Sequence, residues 1–140
     1  MSNTELIDIL KKQHDGLQED LILAEKTEES AAFGTMTTDL LQKFRNDLLG
    51  HLAIEDVEFY PNYLKSLRDQ GKNTEDTEAF IAEMNRIKEV VITFLNKFDI
   101  AEKIEADKTA FSTELNEISN TLNIRIESEE EGVYEFYLLM

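Results

Sequence analysis

Leu6, Leu10, Leu17, Leu21 and Ala24 recur at spacings of three, four and seven residues, the apolar stripe of an amphipathic helix. Asn3 or Thr4 is the expected cap, and Gly16 interrupts the stripe at a cost of about 1 kcal/mol relative to alanine. The stretch TEESAAFGTMT carries no stripe and reads as the first connection. A second stripe runs through Leu40, Leu41, Phe44, Leu48, Leu52 and Phe59, with Thr37 or Thr38 as its cap. Pro61 kinks or ends that helix, because it lacks an N–H and crowds the preceding turn.

RDQGKN is a clear break, after which Thr74 starts a third helix. Its apolar side holds Phe80, Ile81, Met84, Ile87, Val91, Phe94, Leu95 and Phe98. A polar connection follows from Asp99 to Asp107. The last helix shows Phe111, Leu115, Ile118, Leu122, Ile126, Val133 and Phe136 on one side. No segment alternates with a period of two over strand length, and no internal repeat is visible. Four long helices with short links predict an all-α, up-down-up-down four-helix bundle filling one domain over residues 1–140.

Placed on these stripes at about 100° per residue, several ionisable side chains point inward. His14 falls between Leu10 and Leu17, and His51 and Glu55 fall within the arc of Leu40, Phe44, Leu48 and Phe59. Lys88 is in line with Met84 and Leu95. Arg125 and Glu129 sit amid Leu122, Ile126 and Val133. Each helix thus sends at least one ionisable group toward the core, where charges are normally paired or bound to metal.

Composition narrows the chemistry. Thirty acids against 14 Lys and Arg give a net charge of −16, which repels phosphate backbones and anionic lipid. Nucleic acid and membrane are therefore not expected partners. There is no cysteine, which removes disulfides, thiolate catalysis and Cys-ligated zinc. MSNTELIDIL has neither the basic segment nor the apolar block of a signal peptide, so a cytoplasmic address is expected. The end of the chain, VYEFYLLM, is apolar after Glu135. It either closes the bundle against Tyr60 and Tyr63 or offers a surface to a protein partner or a second copy.

The residues KKQHDGL and HLAIEDVEFYP resemble the hemerythrin-like, or HHE cation-binding, family. That family is a four-helix bundle around a di-iron or similar metal pair. The resemblance supplies His14 on the first helix and His-x-x-x-Glu, as His51 and Glu55 with the Tyr60-Pro61 ending, on the second. In AEMNRIKEVV, Met84 stands at the family's third-helix histidine and Lys88 one turn further on. In RIESEEEGVYEFY, Arg125 replaces a histidine while Glu129 and Glu130 keep the acid positions.

Two functions follow from this resemblance. In one, Lys88 and Arg125 pair with Glu55 and Glu129 in place of metal, giving a non-catalytic regulatory or binding bundle. In the other, His14, His51, Glu55 and Glu129 or Glu130 hold a divalent metal, iron first among them. Histidine phosphotransfer also uses helical bundles, but it needs an exposed histidine.

Overall fold

A computed structural model of the chain describes residues 2–140. Its first helix, α1 (Asn3–Lys26), is capped by Ser2 rather than by Asn3 or Thr4. The Ser2 hydroxyl accepts from the Glu5 N–H at 3.1 Å, and the Glu5 carboxylate accepts from the Ser2 N–H at 3.2 Å. Only Ser2 has an acid three residues on with which to close this box, since Asn3 and Thr4 would face Leu6 and Ile7.

The second helix, α2 (Thr35–Ile54), likewise starts earlier than expected. Its cap is Gly34 at φ +95°, and the buried Thr37 hydroxyl accepts from the Gly34 N–H instead of acting as the cap itself. A side chain at Gly34 would be strained in that backbone region and would press on Ala101 at 3.1 Å.

Pro61 does not end the second rod. From Glu55 to Phe59 the backbone widens into a π turn, and α3 (Tyr60–Asp69) continues with Pro61 in its first turn. The hydrogen-bond register changes there in any case, so the missing N–H is tolerated. Next comes α4 (Glu75–Lys97), capped at Thr74 as expected. The Asp99–Asp107 connection is more than polar linker, because it holds a short helix, α5 (Ala101–Ala106), whose Ile104 is fully buried. The last rod is α6 (Lys108–Ser128), a second π turn from Glu129 to Val133, and α7 (Tyr134–Leu139).

The apolar interior is divided into two clusters. One joins Leu17 and Leu21 to Phe44, Leu48, Phe94, Phe111 and Leu122. The other joins Leu6 and Leu10 to Phe59, Tyr60, Tyr63, Tyr134 and Tyr137, with Phe80 and Ile81 against it. α1 and α4 run from the second cluster to the first, while the α2–α3 and α6–α7 rods run the opposite way. The directions alternate, which is the up-down-up-down bundle. Among the described residues no helix is long and apolar enough to cross a membrane.

The π turn also corrects the phase of the C-terminal stripe. Phe136, expected inward, is 60% exposed, while Tyr134 and Tyr137 are buried in its place. One wide turn advances the helix by about five residues, and the face beyond it rotates accordingly. Tyr134 and Tyr137 pack edge-on against Phe59, each at 5.1 Å between ring centroids, and close that end of the bundle.

Phe111 is fully buried among Phe33, Phe94 and Phe98. In urea denaturation, Phe111→Ala is expected to cost about 3–5 kcal/mol, whereas Phe136→Ala should stay within about 0.5 kcal/mol. Equal costs at the two positions would contradict this phase.

Candidate metal centre

Between the two apolar clusters lies a polar layer. His14 of α1, His51 at the end of α2, Glu55 and Glu129 at the starts of the two π turns, and Arg125 of α6 are each 1–2% exposed. Each sits on its rod between residues of one cluster and residues of the other. The carboxylates and imidazoles of four of them bring one donor atom apiece within 4.8 Å of one another: His14, His51, Glu55 and Glu129.

The outer nitrogens decide how the imidazoles are protonated. His14 Nδ1 lies 2.7 Å from a Glu130 carboxylate oxygen, and His51 Nδ1 lies 2.8 Å from the Gln13 amide oxygen. A carboxylate oxygen and an amide oxygen both accept, so against these two atoms both Nδ1 atoms donate. In neutral rings this leaves both Nε2 atoms as lone pairs, and they face each other at 3.1 Å. Glu129 Oε1 is 3.5 Å from His14 Nε2, and Glu55 Oε1 is 3.1 Å from His51 Nε2. Glu55 Oε1 is buried and finds no hydrogen-bond donor, which fits a neighbouring nitrogen that carries no proton. Lone pairs turned on one another in a dry interior require something positive between them.

The two carboxylates behave oppositely. Burial, and then the neighbouring Glu129, hold the Glu55 carboxyl well above the ordinary range, so it keeps a proton that it shares with Glu129. Burial also pushes Glu129 upward, but the proton on Glu55, the adjacent His14 and the charge of Arg125 outweigh it and hold Glu129 at about 2. Burial, reinforced by His14, depresses His51 to about 4, so at neutral pH its imidazole is uncharged.

Two phenols complete the layer. Tyr134 donates to Glu55 Oε2 at 2.8 Å, and Tyr60 donates to Glu129 Oε2 at 2.8 Å. Burial and the two acids push both phenols far above their ordinary range, so they stay protonated as donors.

Compared with known families, the chain matches the hemerythrin HHE cation-binding domain over residues 5–137. It belongs to the hemerythrin HHE family. No curated protein and no solved structure matches the chain. Against the hemerythrin pattern, the half expected from the first two helices comes together with Glu129 of the last as a group that could hold a metal.

The other hemerythrin half is replaced, though not as the sequence suggested. Arg125 does enter the layer. Its Nη1 donates to the Phe80 carbonyl at 2.7 Å, its Nη2 donates to the Tyr60 hydroxyl at 3.2 Å, and its Nε is 3.9 Å from Glu129 Oε1. The guanidinium lies over the Phe80 ring at 3.3 Å. Lys88, expected to pair with Glu55 or Glu129, forms no ion pair with either among the described residues. The layer meets α4 at Phe80, and Lys88 lies about 12 Å further along that helix. It is half-buried there, a position from which a lysine keeps its ammonium hydrated. Met84 belongs to the first apolar cluster. Glu130, offered as an alternative ligand, instead holds the outer nitrogen of His14, and its side chain is 32% exposed.

Sequence reasoning missed the phenols and Gln13, although a signal was present. His51-x₃-Glu55-x₄-Tyr60 and Arg125-x₃-Glu129-x₄-Tyr134 share one spacing. In an α-helix, residues five apart diverge by about 140°. The π turns, with Tyr60 N–H bonded to the Glu55 carbonyl and Tyr134 N–H to that of Glu129, bring each acid and phenol onto one face.

For the metal-free chain the pH dependence follows from His51. Its imidazole titrates near 6.5 when unfolded and at about 4 when folded. Between these values only the unfolded chain takes up the proton, so stability falls as pH drops from about 6.5 to about 4, by about 3 kcal/mol. Glu55 acts with the opposite sign, losing stability as pH rises from the ordinary carboxyl range through its raised value. The difference between wild type and His51→Gln isolates the histidine. Urea denaturation of chelator-treated protein at pH 7 and pH 4.5 should show a much smaller loss in the variant.

Proposed function

We propose that this hemerythrin-family domain binds one divalent cation per chain, held by His14, His51, Glu55 and Glu129, with Arg125 occupying the place of a second cation. The observation that carries the reading is the pair of Nε2 atoms at 3.1 Å, each on a ring whose Nδ1 already faces an outer acceptor. That is how metal-binding histidines are oriented, the second nitrogen donating to a carboxylate or amide so that the first presents its lone pair. Two imidazoles and two carboxylates suit iron, manganese or zinc.

Charge favours the same reading. Glu55, Glu129, the partly exposed Glu130 beside His14 and the half-exposed Glu83 beside Arg125 outnumber the single guanidinium. A divalent cation offsets that excess. Without it the layer holds protons instead, one of them on Glu55. Metal and protons therefore compete, and affinity rises with pH.

When bound, the ion supplies a Lewis-acidic and, for iron or manganese, a redox-capable centre. The residues themselves exclude water, present the nitrogens and hold the acids. Arg125 cannot ligate, since a guanidinium has no free lone pair, and its charge repels a second cation. One metal rather than a pair is the consequence.

Elemental analysis of protein purified without chelators is the test. About one iron, manganese or zinc per chain is expected, and at a hundred times Kd the ion should stabilise the fold by about 2.7 kcal/mol. His51→Ala should lose the ion and its stabilisation, and Lys88→Ala should keep both. Wild type devoid of metal, and indifferent to added Fe²⁺, Mn²⁺ and Zn²⁺ in thermal unfolding, would end the proposal.

A further inference from the structure

We infer that Tyr60 and Tyr134 are positioning residues that leave each carboxylate of the centre one free oxygen, and so set how many donors a cation meets there. The inference rests on the cation-binding reading and adds what selects the cation.

The geometry is reciprocal. Tyr60, on the second rod, donates to Glu129 of the fourth, and Tyr134, on the fourth, donates to Glu55 of the second, each bond 2.8 Å long and each to Oε2. The Oε1 atoms are the ones turned toward the imidazoles, at 3.1 Å for Glu55 and 3.5 Å for Glu129. Both phenols are buried, Tyr134 completely, so water cannot take their place on Oε2.

Nor can the Tyr60 proton turn elsewhere. Arg125 Nη2 already donates to its oxygen at 3.2 Å, which directs the phenol proton to Glu129. At Tyr134 the neighbours of the oxygen are Glu55 Oε2 at 2.8 Å and His14 Nε2 at 3.3 Å, and the proton follows the shorter contact.

A carboxylate oxygen that accepts a short bond from a phenol is the weaker and less free donor to a cation, so the other oxygen is favoured. Bidentate carboxylates are one of the means by which calcium reaches six to eight oxygens. A centre of two nitrogens and two single oxygens denies that means and favours transition cations content with few donors. The π turns give this role a structural cause, since without them neither tyrosine would share a face with its preceding acid.

Cobalt(II) reports donor number through its visible d–d absorption, which is intense at low coordination and weak at high. Wild type loaded with one Co²⁺ per chain should give the intense form. Tyr60→Phe and Tyr134→Phe keep the ring volume and free one oxygen each. Each variant should still bind one Co²⁺, with band intensity reduced several-fold and with Ca²⁺ displacing Co²⁺ at lower concentration than in wild type. A merely structural tyrosine would change stability and leave the spectrum alone. Unchanged spectra and unchanged calcium competition in the variants would overturn the inference while the cation-binding reading stands. A wild-type chain that takes up no cobalt would overturn the cation-binding reading, and this role with it.

Discussion

Two imidazole nitrogens face each other at 3.1 Å in a layer that water does not reach, and the rest of the structure makes sense around that contact. Each nitrogen is deprived of its proton by what happens on the far side of its ring, where Glu130 and Gln13 accept from Nδ1. The resulting lone pairs cannot rest against each other unless a positive charge intervenes. Buried polar groups are costly when unpartnered, and the price here rises with every acid added to the layer. The bundle answers by dividing its core in two and confining all of these groups to one level.

The layer carries an approximate internal symmetry. On the second and fourth rods a cationic or neutral base, an acid four residues on and a tyrosine five beyond that recur in the same order. Each tyrosine crosses to the other rod's acid. The symmetry is broken where it matters for chemistry, because one rod has His51 and the other Arg125. His51 joins His14 in a pair of facing imidazoles. Arg125 stacks on Phe80 and donates to its carbonyl, filling the opposite half with a permanent charge. In the proposed reading, a dinuclear plan thereby becomes one cation site with a fixed organic cation beside it.

Much of this was legible in the residues. The stripes from Leu6 to Ala24 and from Phe80 to Phe98 specify helices, and the inward direction of His14, His51, Glu55, Arg125 and Glu129 follows from the same period. Lys88 shows where that logic stops. Helical periodicity reports the direction in which a side chain points but not the level at which its neighbours on other rods stand, and the layer meets α4 at Phe80. Phe136 failed for a different reason, since a continuous stripe assumes a continuous α-helix. EEEGV reads locally as ordinary helix with a glycine, whereas its π turn carries Tyr134 and Tyr137 onto Phe59. The caps at Ser2 and Gly34 were misplaced by one to four residues because capping depends on which partner lies three residues on.

The chain contains only two histidines, so their ring nitrogens can be observed without ambiguity. A long-range ¹H–¹⁵N correlation spectrum of the zinc-loaded protein tests the central contact most directly. The account predicts that both Nδ1 atoms carry protons and that both Nε2 atoms show the shift of a metal-bound nitrogen. A proton found on either Nε2 with zinc present, or imidazoles whose spectrum is indifferent to zinc, would contradict it.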